Sequence, residues 1–150
     1  MPVYPMRTVA TFRNPAFNTT DERPYFISPG CFGDDLARWL ITRLRAKGTT
    51  TADHPEQEDF GWYFDFHVAE GPHTCLIALR PGMDWVIWAE RRRGPFALLF
   101  GGRHRGISRA AVTAIHEALV AAPSVTDLRW HDRRDFDAGR EDLAHSDPHE

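Results

Sequence analysis

Between Asp59 and Val68 the chain alternates with a strict period of two: Phe60, Trp62, Phe64, Phe66 and Val68 interleave with Asp59, Gly61, Tyr63, Asp65 and His67. Side chains of a strand point alternately to its two faces, so this pattern demands an extended segment with one face buried. On a helix the same aromatics would be scattered around the whole circumference. The strand also needs neighbours, because an isolated strand leaves its backbone N–H and C=O groups unpaired.

The following residues supply those neighbours. Glu70-Gly71-Pro72 turns the chain into an apolar strand over Thr74–Arg80, Pro81-Gly82 precedes a strand over Trp85–Arg91, and Gly94-Pro95 precedes one over Phe96–Phe100. Four consecutive strands joined by short turns predict an antiparallel meander. Upstream, Thr8, Val9, Thr11 and Phe12 predict a strand over Met6–Phe12. Arg13 to Gly33 is rich in turn chemistry and reads as a long loop, with room for a short strand at Tyr25–Ser28. Asp34 is the expected cap of a helix that runs to Lys47 and stops at Gly48, with Leu36, Trp39, Leu40 and Leu44 on its apolar face. Thr49–Glu58 is polar and reads as loop. Ser108 is placed to cap a second helix ending near Ala122-Pro123, whose stripe is Val112, Ile115 and Leu119, and Val125–Asp132 returns to strand.

The order β-α-β-β-β-β-α-β predicts an α+β two-layer sandwich, a mainly antiparallel sheet of five or six strands with two helices on one face. Residues 1–132 are expected to form one domain and 133–150 a charged, flexible tail. The chain has 150 residues, 42% of them hydrophobic and 12% aromatic, which is enough to fill one core. No apolar run is long enough to cross a bilayer, and no membrane association is expected. The N-terminal residues lack the basic start and apolar stretch of a secretory signal, so a cytoplasmic location is expected, with Cys31 and Cys75 as reduced thiols. A net charge of −3 argues against a general nucleic-acid binder. Charge is nonetheless segregated, with six acids and no Lys or Arg from Gly48 to Leu79, then seven arginines against Asp84 and Glu90 from Arg80 to Arg109. Neutralisation between neighbouring strands explains this simply, and a two-signed binding surface is the sharper reading.

Three groups of residues carry candidate chemistry. His67, His73 and Cys75 are zinc-ligand types on one hairpin. Pairing His67 with His73 would gather them with Asp65, whereas a slip of one residue sets Phe66 against Cys75, Phe64 against Ile77 and Trp62 against Leu79. That apolar match is better, so no metal or other cofactor is expected, and Cys75 reads as a small core residue. The Gly101–Ser108 loop leads into a helix N-terminus, and Arg103, His104, Arg105 and Ser108 are candidates for binding a small anion there, although the Gly-Lys-Ser/Thr ending of a phosphate loop is missing. Finally, Tyr63, Asp65 and His67 share the polar face of the alternating strand. With Trp85, Trp88 and the basic turn Arg91, Arg92 and Arg93, they are interface candidates. Trp85 and Trp88 have opposite parity, so one of them faces away from the helices.

No assembled catalytic motif is present. The reading ranked first is a small protein-binding or regulatory module that uses the open sheet face and the basic turns, its partner being another protein or a second copy of the chain. Second is an anion- or small-molecule-binding protein using the Gly101–Ser108 loop. An enzyme, with a site assembled from residues remote in sequence, is third.

Overall fold

The computed structural model describes residues 6–92 and 106–149. Within them the chain forms seven strands, β1 (Val9–Arg13), β2 (Thr50–Thr51), β3 (Glu56–Glu58), β4 (Gly61–Val68), β5 (Gly71–Leu79), β6 (Trp85–Arg91) and β7 (Thr126–His131). Three helices accompany them, α1 (Asp34–Ala46), α2 (Arg109–Val120) and the short α3 (Arg133–Asp137). One antiparallel sheet runs in the order β2-β4-β5-β6-β1-β7, with β3 alongside β2 on the outer edge of β4. α1 and α2 lie together on one face, giving the α+β sandwich that the pattern predicts. β2 and β3 fall in the segment expected to be loop. They form because β4 would otherwise end the sheet with a full row of unpaired backbone groups. The strand expected at Phe96–Phe100 lies outside the described residues.

A two-residue turn at Ala69 and Glu70 sets the β4–β5 register, pairing Val68 with Gly71, Phe66 with His73, Phe64 with Cys75 and Trp62 with Ile77. The turn is centred one residue earlier than the expected apolar match requires, which moves each partner by two positions. A shift of two preserves side-chain direction. Phe64, Phe66, Cys75 and Ile77 therefore still join one core with Phe12, Trp85, Ile87 and Trp130 beneath the helices.

Phe60 departs from the alternation. It was expected to join Trp62 in the core, yet it is 40% exposed and packs on Trp88 of the opposite face. The cause is Gly61 at φ 155°, where a Cβ would lie 2.2 Å from the Ile77 carbonyl oxygen. Only glycine lets β4 approach β5 so closely there, and the kink turns the preceding side chain to the other face.

The N-cap of α1 lies one residue earlier than expected. Gly33 occupies the N-cap, and Asp34, buried in the first turn, accepts a hydrogen bond from the Tyr25 hydroxyl. Leu36, Leu40 and Leu44 are buried as expected, and Trp39 sits at the margin between Phe17 and Arg43. α2 matches its expected stripe, Val112, Ile115 and Leu119, and the Ser108 side chain caps it by accepting from the Ala110 N–H.

Residues 133–149 carry more structure than the charged tail read from sequence. Asp132 caps α3, Phe136 packs on His131 at 5.1 Å, and Arg80 reaches over Phe136 to pair with Glu141 at 2.9 Å. The chain then turns along the outer edge of β7, where Trp130 and His145 exchange both backbone hydrogen bonds, and Arg7 N–H donates to the Pro148 carbonyl. Hydrophobic patterning misses this wrap because it is anchored by backbone bonds and by one aromatic ring among charges.

Replacing Gly61 with Ala is expected to destabilise the fold by about 2–4 kcal/mol, since the new methyl group meets backbone and cannot be relieved by a rotamer change. Urea unfolding of the two proteins measures it, and a loss below about 0.5 kcal/mol would contradict the close approach.

Candidate functional site

The sheet face opposite α1 and α2 divides into two halves. On the β1–β7 side Val9, Thr11, Val86 and His131 are buried, and the Thr11 hydroxyl meets His131 Nε2 at 2.8 Å. Beside them α3 sits over the sheet through the contact of Phe136 with His131. On the β4–β6 side lies a groove of about 480 Å³, lined by Glu58, Phe60, Tyr63, Asp65, Thr74, Leu76, Glu90, Arg91 and Arg92.

Strand register builds this groove in rows. Tyr63, Leu76 and Trp88 are lateral neighbours across β4, β5 and β6, and Asp65, Thr74 and Glu90 form the next row. Thr74 donates its hydroxyl to Asp65 at 2.8 Å, and Arg92 Nη1 pairs with the other Asp65 oxygen at 3.0 Å. The Tyr63 hydroxyl donates to Glu56 at 3.0 Å, and burial together with that carboxylate raises its pKa. Trp88 donates its indole N–H to Glu90 at 3.3 Å and packs on Phe60 with ring centroids 5.3 Å apart. Arg91 donates to the Glu70 carbonyl. The acidic and basic segments separated in sequence thus meet across β5: Arg92, just past the end of β6, neutralises Asp65 of β4, one strand beyond the immediate neighbour anticipated from the charge pattern.

Of the interface candidates, Tyr63, Asp65, Trp88, Arg91 and Arg92 come together here. His67 is on the same face but exposed near the end of β4, opposite Pro72. Trp85 has the other parity and is fully buried under the helices, with its indole N–H directed at the Asn14 carbonyl, so it offers no surface. Arg93 lies outside the described residues. Sequence reasoning missed Glu58, Phe60, Thr74, Leu76 and Glu90; for Phe60 the signal was Gly61, whose position inside a strand marks a close backbone approach.

The hairpin disperses the zinc-type residues. Cys75 and His73 face the core while His67 points the opposite way, and among the described residues no three His, Cys, Asp or Glu side chains are arranged to hold a metal. His73 has a different task. Its Nε2 accepts the Ser108 N–H at 2.9 Å and its Nδ1 meets the Gly71 carbonyl at 3.0 Å. A backbone N–H can only donate, so Nε2 is the bare nitrogen and Nδ1 carries the proton. This neutral imidazole ties the start of α2 to β5.

Of the anion-binding candidates, Arg103, His104 and Arg105 lie outside the described residues. Ser108 is committed to the helix, its side chain to Ala110 and its N–H to His73. Burial pushes both thiols up, Cys31 with help from Asp34 and Cys75 through burial alone, so neither is a thiolate nucleophile at neutral pH.

Burial also holds His73, His131 and His149 below the ordinary imidazole pKa. The unfolded chain binds protons at these positions near pH 6.5, whereas the folded chain resists them. Stability is therefore expected to be complete above about pH 6.5 and to fall as the pH drops below it. Urea midpoints measured from pH 7.5 to 5.5 test this, and a flat profile contradicts it. No family model, curated protein or solved structure matches the chain.

Proposed function

We propose that this protein is a binding or regulatory module that docks a partner protein on the β4–β6 half of the open sheet face. The observation that carries this reading is the Phe60–Trp88 ring pair beside the groove, outside the core and next to charges of both signs. Large aromatics flanked by arginine and carboxylate are the composition of interface hot spots, where a ring fills a pocket on the partner and a polar rim excludes water. Five of the nine lining residues are charged, whereas pockets for small organic ligands are mostly apolar with a few placed polar groups. The rigid strands beneath hold the surface in one shape, which lowers the ordering cost of association.

A photo-reactive phenylalanine analogue in place of Tyr63 is expected to give a discrete adduct with a partner from the native host. The same analogue in place of Thr42, on the exposed side of α1, is expected to give none. Phe60→Ala should lower the Tyr63 adduct by about tenfold or more, the scale of losing one hot-spot side chain. Equal adducts from both positions, or an adduct indifferent to Phe60→Ala, would overturn the proposal.

A further inference from the structure

The charges around the groove are unequally satisfied. Of the two guanidiniums, Arg92 pairs with the Asp65 carboxylate, whereas Arg91 meets only the neutral Glu70 carbonyl among the described residues. Among the described residues neither Glu58 nor Glu90 has a cationic partner, and Glu90 meets only the neutral indole N–H of Trp88. Glu58 is exposed and Glu90 half-buried, both on the lining of the groove.

The ring surfaces point to the same ligand chemistry. Phe60 and Trp88 pack at a 49° tilt, and Tyr63 lies two strands from Trp88, on the other side of Leu76. A cation placed over an aromatic face is attracted by the ring's negative quadrupole, and more strongly where water is partly excluded. A neutral or acidic group seated here would cover Glu58 and Glu90 without replacing their hydration, a cost that opposes binding. A flat guanidinium or a lysine ammonium would instead pair with a carboxylate while resting on a ring. The Arg92–Asp65 pair already shows the guanidinium–carboxylate half of this arrangement at the neighbouring position, made by the protein with itself.

We propose that the groove recognises a basic side chain, arginine or lysine, presented by the partner protein, with Glu58 and Glu90 supplying the charge and Phe60, Trp88 and Tyr63 the ring surfaces. This rests on the docking function proposed above and specifies the residue type at the centre of the contact. Arg91 and Arg92 frame the site and disfavour a partner whose basic residues are clustered, so one cation flanked by neutral or acidic residues is the motif that fits.

The test is titration of the isotope-labelled full-length chain with N-acetyl-arginine amide, N-acetyl-lysine amide and N-acetyl-glutamate amide, followed by NMR. At least one cationic probe should move the Trp88 indole N–H and the Leu76 amide saturably, and the glutamate probe should move neither. Phe60→Ala should weaken the response about two- to fivefold, the range expected for one exposed cation–π contact. The Glu58→Gln, Glu90→Gln double variant keeps side-chain shape and should weaken it at least as much. An indifferent double variant, absent shifts, or equal shifts with the glutamate probe would overturn the cation site. Failure of this inference is distinguishable from failure of the docking function. If the Tyr63 adduct persists in the double variant and is lost in Phe60→Ala, docking stands and the cation inference falls. Saturable cation binding with no protein adduct would leave the site standing and remove the docking function.

Discussion

The pairing of β4 with β5 decides what every other element can do. Because strand side chains alternate, one register places Phe64, Phe66, Cys75 and Ile77 beneath the helices and leaves Tyr63, Asp65, Thr74 and Leu76 on the reverse. A slip of β4 by one residue would turn Phe64 and Phe66 out beside Thr74 and Leu76 and bury the Asp65 carboxylate where α1 and α2 now pack. The two-residue turn at Ala69 and Glu70 and the large rings of β4 enforce the same parity from opposite ends of the hairpin. Both the core and the groove are consequences of that single alignment.

The helical layer is joined to this sheet by more than apolar contact. His73 stands in the core opposite Phe66 and accepts the N–H of Ser108, immediately before α2. On the far side of the same helix, the Trp130 indole donates to His116. α2 is thus held at its N-terminus by β5 and along its length by β7, two strands separated in the sheet by β6 and β1. Directional bonds of this kind fix an orientation that hydrophobic burial, being non-directional, leaves loose.

Much of this architecture was legible in the amino-acid order. The period of two in β4, the 3.6-residue stripes of α1 and α2, and the glycine and proline turns each report a local preference that tertiary packing does not override. The reading failed where an element is fixed by what it packs or pairs with and not by its own composition. β2 and β3 exist to complete β4, α3 is fixed by a contact with Arg80, and His73 finds its acceptor role only because α2 starts beside it. Half of the candidate site was visible as the polar parity of β4 and as Trp88. Phe60 was assigned to the core, since an alternating pattern alone cannot show that Gly61 has broken it.

The two borders of the sheet are both closed to further strands over much of their length. On one side β4 is covered by β2 and β3, which are two and three residues long. On the other, β7 is bulged against β1, contains Asp127 in a left-handed conformation, and is bridged at Trp130 by His145. Flat, open strand edges invite one chain to zip onto the next, and irregular or covered ones do not. A chain guarded in this way can keep a half-exposed tryptophan and an exposed phenylalanine on its surface without templating fibres.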